Sequence, residues 1–100
     1  MTDPLAELLI LIIPKFPIGH LVATPNALSQ LTQADISSAL NRHCNGDWGD
    51  LDDEDKLANN RALIEGTRLL SAHHGEENVK FWIITESDRS VTTILMPEDY

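Results

Sequence analysis

The stretch VKFWIITESDRSVTTILMP, residues 79–97, decides how this chain folds. Its two halves are rich in β-branched and aromatic residues, which suit a pleated, half-buried surface. The polar residues 87–90 between them include turn formers but no glycine, so we expect a longer loop built on a type I turn. Pro97 cannot donate to a strand ladder and should end the second strand. The stretch therefore predicts a β-hairpin with strands at 79–85 and 91–96.

Both faces of the first predicted strand are apolar. Successive side chains of a strand point to opposite faces, which puts Phe81 and Ile83 on one side and Trp82 and Ile84 on the other. Such a strand lies in a sheet that is covered on both sides, or covered by helices on one side and by a partner chain on the other.

The rest of the chain supplies helices and two further strands. Thr24-Pro25 predicts one helix start, and Thr32 with Asp35 predicts another through a capping box. The predicted elements are a strand at 18–23, helices at 26–31, from 32 to the Asn45-Gly46 stop and at 51–65, a strand at 67–73, and the hairpin. Helical spacing puts one set of apolar and histidine side chains on one face of the helix that begins at 32: Ile36, Ala39, Leu40 and His43. A second set would line the inner side of the helix at 51–65: Leu51, Leu57, Ala58, Ala62 and Ile64. The fold class is a single small α+β domain over residues 1–100. An antiparallel β-meander of three C-terminal strands plus one N-terminal strand packs against two to three helices.

Composition and charge narrow the class of protein. An apolar share of 42% in 100 residues is that of a folded domain. The net charge of −9 opposes direct binding of nucleic acid and attachment to anionic membranes. The single cysteine, Cys44, cannot form an internal disulfide and suits a reducing compartment. We expect a cytoplasmic protein.

Residues 1–15 form an apolar leader whose centre is Leu5–Ile13, LAELLILII. The run is interrupted by Glu7 and is shorter than the roughly 20 residues that a membrane span needs. It also lacks the preceding basic residues of a signal peptide. A helix that begins at Asp3-Pro4 and a strand over Leu8–Ile13 both fit the pattern. We expect this leader to pack on the core or on a second subunit. If the chain forms the homodimer that we expect, this leader is the predicted place of contact.

Three motifs of the chain carry a family resemblance: PIGHLVATP at 17–25, GDWGD at 46–50 and WIITESDRSVTTIL at 82–95. Together they resemble a family of small proteins from bacteria and mobile elements. Its members are labelled plasmid-related, or as the modification subunit of a type I restriction system. The resemblance covers Phe16–Tyr100. The chain has no glycine-rich strand–helix turn of a cofactor-binding domain, so the restriction label does not carry over. The family has no established activity, so the resemblance implies no catalytic residues.

His43, Asp47 and Asp50 lie close together in sequence, and His20 could join them from the first predicted strand. Imidazole and carboxylate groups bind divalent metals, and a metal-activated water would give hydrolytic chemistry. The structural interpretation makes Asp50 an N-cap, Asp47 a turn former and His43 a helix-end residue. Both interpretations remain open at the level of sequence.

The predicted hairpin tip carries a second polar group: Glu86, Asp88 and Arg89. A carboxylate beside an arginine can serve acid–base catalysis. The same residues also suit a hydrogen-bonded turn with a solvated ion pair, so they are catalytic candidates only.

Trp48 lies between two Gly-Asp steps, and a loop tryptophan is either an anchor in the core or a contact for a partner. The acidic residues 50–55 suit the positive end of a helix dipole, and they could also imitate the phosphates of DNA. We expect a non-enzymatic accessory or protein-interaction module without a cofactor, in which Asp47, Trp48 and Asp50 contact the partner. The alternatives are a small metal-dependent hydrolase that acts on nucleotides or nucleic acid, and an acidic DNA-mimic inhibitor.

Overall fold

The computed structural model describes residues 14–100. Over this range the chain forms three α-helices and a four-stranded sheet. In chain order the elements are β1 (His20–Ala23), α1 (Pro25–Gln30), α2 (Gln33–Cys44), α3 (Asp53–Glu65), β2 (Leu69–His74), β3 (Lys80–Thr85), β4 (Val91–Leu95) and a final 3₁₀ turn (Pro97–Asp99). The predicted α+β class and the C-terminal meander with one N-terminal strand are confirmed. The helix-or-strand prediction for Leu5–Ile13 lies outside the described residues.

The sheet is mixed, with the strand order β1-β4-β3-β2. Strands β2, β3 and β4 pair antiparallel, and β1 pairs with β4 in parallel. Gly19 makes the approach to β4 possible, because its φ is 61° and a Cβ there would overlap the backbone of Ser90. The N–H of His20 donates to the Ser90 carbonyl oxygen at 2.9 Å.

Local signals set most helix ends. The Thr24 hydroxyl accepts from the N–H of Ala27, and Thr32 and Asp35 form the reciprocal capping box. Helix α3 begins two residues later than predicted and has Asp52, not Asp50, as its N-cap. The reason is that the N–H of Asp50 donates to the Ala72 carbonyl at 2.8 Å, which holds Asp50 against β2.

The core lies between α2 and one face of the sheet. The side chains of α2 that were predicted to share an inner face are all buried: Ile36, Ala39, Leu40 and His43. They pack against fully buried residues of β2, β3 and β4: Leu69, Phe81, Ile83 and Ile94.

Helix α3 lies along the outer edge of β2, and its orientation corrects a prediction. The Asn59 amide accepts from the N–H of Leu70 and donates to its carbonyl oxygen, which closes this edge of the sheet. Buried residues of α3 are Asn59 and Ala62. The predicted inner side was Leu51, Leu57, Ala58, Ala62 and Ile64, but Leu57 is 62% exposed and Ile64 is 88% exposed. Because residues seven apart share one stripe of a helix, Leu57 and Ile64 face away together.

The loop between α2 and α3 also pairs with the edge of β2. The Trp48 carbonyl accepts from the N–H of Ala72 at 3.2 Å, and Gly49 bridges Ala72. Gly49 has a φ of 73°, and a Cβ there would overlap the Ala72 carbonyl. Within residues 14–100, no helix has the length and apolar character that a membrane span requires.

Replacing Gly49 by alanine should destabilise the fold far more than the same change at Gly66. Both glycines have left-handed φ values, 73° and 72°, but nothing lies within 4 Å of a Cβ at Gly66. Gly66→Ala should therefore cost only the conformational term, about 1 kcal/mol. Gly49→Ala adds the clash with β2 and should cost about 3 kcal/mol or more of unfolding free energy in urea titrations. Equal losses would contradict the close packing of this loop on β2.

Candidate functional site

Trp48 points inward from the acidic loop. Its side chain is 2% exposed, and Nε1 donates to the Asn60 side-chain oxygen at 2.9 Å. The indole packs edge-on against the His43 ring, with 5.6 Å between centroids. Of the two interpretations of Trp48, the structure shows the core anchor, and the indole offers a partner almost no surface.

Asp47 and Asp50 flank this anchor and remain exposed. Asp47 accepts from Arg42, with 2.9 Å between Nε and Oδ2, and from the N–H of Gly49. The hydrogen bond from Arg42 lowers the pKa of the Asp47 carboxyl. Asp50 pairs with Nδ1 of His74 through Oδ2. Each aspartate therefore ties the loop to a neighbouring element, Asp47 to α2 and Asp50 to β2.

A cleft of about 370 Å³ opens between α2 and the end of β2. Its polar lining includes Asp35, Ser38, Arg42, His73, His74 and Glu76. Asp50 orients the His74 imidazole at one end of this cleft through its contact with Nδ1. Arg42 and His74 already pair with the two aspartates of the loop, so their first role here is to fix the loop.

His43 is fully buried, whereas Asp47 and Asp50 are exposed. Nδ1 lies 2.7 Å from the Ser71 hydroxyl, and Nε2 lies 2.9 Å from the Thr85 hydroxyl. Both ring nitrogens are occupied, so metal binding would break one of these hydrogen bonds. Within residues 14–100, no three His, Cys, Asp or Glu side chains are grouped so as to hold a metal ion. The predicted trio of His43, Asp47 and Asp50 is thus not brought together as a metal site.

The hydrogen bonds around His43 form one buried chain with a fixed direction. Because a carbonyl oxygen only accepts, the Thr92 hydroxyl donates to the Ile18 carbonyl at 2.8 Å. Thr92 then accepts from the Thr85 hydroxyl, also at 2.8 Å. Thr85 in turn accepts the proton on Nε2 of His43. His43 is therefore the neutral tautomer protonated at Nε2.

The same direction continues to the far end of the chain. Nδ1 of His43 accepts from the Ser71 hydroxyl, and the Ser71 oxygen accepts from Nε2 of His73 at 2.8 Å. Nδ1 of His73 is left as a bare acceptor, buried and without a hydrogen-bond partner among the described residues. Burial lowers the pKa of His43 to about 3 and that of His73 to about 4, which keeps both rings neutral.

The three candidates at the hairpin tip have separate structural partners. Arg89 donates to the carbonyl oxygens of Thr67, Glu86 and Ala62, at 2.7, 3.1 and 3.2 Å. It thereby caps the end of α3. Asp88 accepts from the N–H of Ser90 within the turn. The Glu86 carboxylate lies 3.7 Å from Nε of Arg68, as an exposed ion pair.

Sequence reasoning missed the main polar features of this region. The sequence indicated only a polar strand end at His73 and His74. Because the two residues alternate on β2, His73 is buried and His74 is exposed. Ser71 and Thr92 gave no signal by themselves. Thr85 shares a strand face with Phe81 and Ile83, and a hydroxyl at that position was the available sign of a polar partner in the core. Cys44 is buried, and burial raises its pKa to about 11, so its thiol is inert.

No family model matches the chain, and the comparisons with curated proteins and with solved structures found no match. The family resemblance of the three motifs accordingly stays a prediction.

Acid should destabilise the fold through His43 and His73. Both pKa values fall from the usual 6.5, to about 3 and about 4. The unfolded chain therefore binds more protons than the folded chain once the pH drops below 6.5, and stability falls with it. Each histidine contributes about 1.4 kcal/mol of lost unfolding free energy per pH unit within its window.

The variant His73→Gln isolates one of these two contributions, because glutamine keeps a donor for Ser71 but does not titrate. Urea titrations between about pH 6 and pH 4 should show stability falling by about 1.4 kcal/mol less per pH unit in the variant. Parallel declines in the two proteins would show instead that His73 is already protonated in the folded state.

Proposed function

We propose that this chain is a non-enzymatic cytoplasmic module that binds another protein through the outer face of α3. This face comprises Asp53, Glu54, Leu57, Arg61, Ile64 and Glu65. The observation that carries the proposal is the exposure of two large apolar side chains, 62% for Leu57 and 88% for Ile64. They lie two helical turns apart on the stripe opposite the buried residues of α3.

Because Leu57 and Ile64 are largely exposed in the described part of the chain, their burial contributes little to its folding free energy. Burying each of them against a partner contributes roughly 1.5–3 kcal/mol. Apolar anchors separated by two turns are the pattern by which one helix face engages a groove or another helix. A surface of this kind, bordered by polar residues, marks an interaction site.

The acidic loop supports the same surface. Trp48 and Gly49 fasten the loop to the core and to β2, so Asp47 and Asp50 stand at fixed, exposed positions in the segment that leads into α3. They precede the acidic first turn of α3 in the sequence. Preorganisation of this kind reduces the ordering cost that association must overcome.

The two alternatives have weaker support. A hydrolase mechanism would need a metal ion bound to His43. That metal would have to displace the buried hydrogen bond from the ring to Ser71 or to Thr85. DNA mimicry rests on the acidic residues 50–55 alone, and three of these, Asp53, Glu54 and Asp55, form the first turn of α3, where they suit the helix dipole.

Photo-crosslinking in cells tests the proposal. A photo-reactive phenylalanine at position 57, and separately at position 64, should give a discrete crosslinked product after irradiation. The same residue at Leu28 is the matched control, because Leu28 is 53% exposed but lies on α1. The product formed from position 57 should disappear when Ile64→Ser is added.

The mass of the product also tests the predicted homodimer, since a second copy doubles the mass of the chain. Identical patterns from positions 57 and 28, or the absence of any product from 57 and 64, would contradict an interface on α3. The urea stability of Leu57→Ser should match that of the unmodified chain, because the side chain makes little contact within the domain.

A further inference from the structure

The outer face of α3 surrounds its two apolar residues with an excess of negative charge. Asp53, Glu54 and Glu65 are exposed acids on this face, and Arg61 is its single base. Among residues 14–100 the close contacts between basic side chains and carboxylates are Arg42–Asp47, Arg68–Glu86 and His74–Asp50. None of them involves the acids of this face, so these carboxylates can pair with an incoming group.

A second copy of the chain is a poor complement for this face. Each copy has a net charge of −9, so association brings like charges together. Packing α3 against its own copy would also set an acidic face against an acidic face. Like charges that face each other across an interface oppose association.

We propose that the partner is a positively charged, amphipathic segment of another protein. Its apolar side chains cover Leu57 and Ile64, and its Lys or Arg residues pair with Asp53 and Glu54 at one end of the face and with Glu65 at the other. This inference rests on the proposed function, since it names the partner chemistry of the same surface.

The dimensions of α3 specify the segment further. Its 13 residues span about 20 Å, and Leu57 and Ile64 lie about 10 Å apart along the axis. The partner therefore carries two apolar groups at about that separation, with basic groups beyond each of them. A helix with anchors two turns apart has this spacing.

Two synthetic helical peptides of the length of α3 provide the probe. They share leucines two turns apart and differ only in having lysine or glutamate at every polar position. Amide ¹H–¹⁵N spectra of the labelled full chain should show shifts over 53–65 with the lysine peptide and none with the glutamate peptide. Added salt should weaken the binding, because it screens the charge pairs.

Matched variants separate specific docking from general attraction to an acidic protein. Leu57→Ser with Ile64→Ser should raise the Kd for the lysine peptide about tenfold or more. Leu28→Ser, on α1, should leave it unchanged. Glu54→Gln with Glu65→Gln should weaken binding and reduce its dependence on salt. Glu76→Gln with Glu77→Gln removes the same charge at the β2–β3 loop and should have little effect.

The outcomes distinguish this inference from the proposed function. Shifts on α3 that grow with protein concentration and need no peptide would identify a second copy, which overturns the basic partner but keeps the interface. Lysine-peptide shifts that spread over Glu76 and Glu77 and ignore Leu57→Ser would also overturn it. An α3 face that is silent to both peptides and gives no crosslink in cells would overturn the proposed function as well.

Discussion

The structure depends on the two hydrogen bonds made by the ring of His43. Helix α2 delivers this imidazole to the sheet, where one nitrogen meets Ser71 on β2 and the other meets Thr85 on β3. Through Thr92 the same chain continues to β4 and to the backbone just before β1. An unpartnered buried polar group costs about 1–3 kcal/mol. A shift of α2 or of one strand would leave several of these buried nitrogens and hydroxyls without hydrogen-bond partners. The chain of hydrogen bonds therefore favours one arrangement of α2 on the sheet.

The residues around His43 also position the loop from α2 to α3 and, through it, the start of α3. Trp48 packs on the His43 ring, and Gly49 lies against His73, so the loop from α2 to α3 is held to the core and to β2. Asn59 then fixes α3 on the edge of that strand. These contacts hold α3 on the domain, with Leu57 and Ile64 exposed on its outer side.

Local patterns predicted much of the fold. The hairpin, the caps at Thr24 and Thr32 and the inner face of α2 follow from alternation, capping and helical spacing, which act over a few residues. The inner face of α3 was wrong because a polar residue, Asn59, makes its contact with the sheet while the larger apolar residues face solvent. Three hydrogen bonds of the buried chain join residues that are 28, 42 and 74 positions apart. No local pattern reports such pairs, so the sequence alone left His43 as a candidate metal ligand.

The two hydrogen bonds of the His43 ring give this residue a structural role. The imidazole ¹⁵N spectrum of His43 tests this role most directly, because protonated and bare ring nitrogens resonate far apart. We expect a proton on Nε2, a bare Nδ1, and no change between about pH 6.5 and pH 4 or on addition of Mg²⁺, Mn²⁺ or Zn²⁺. A ring that titrates near pH 6.5, or whose signals shift with one of these metals, would refute the structural role and return His43 to the candidate metal ligands.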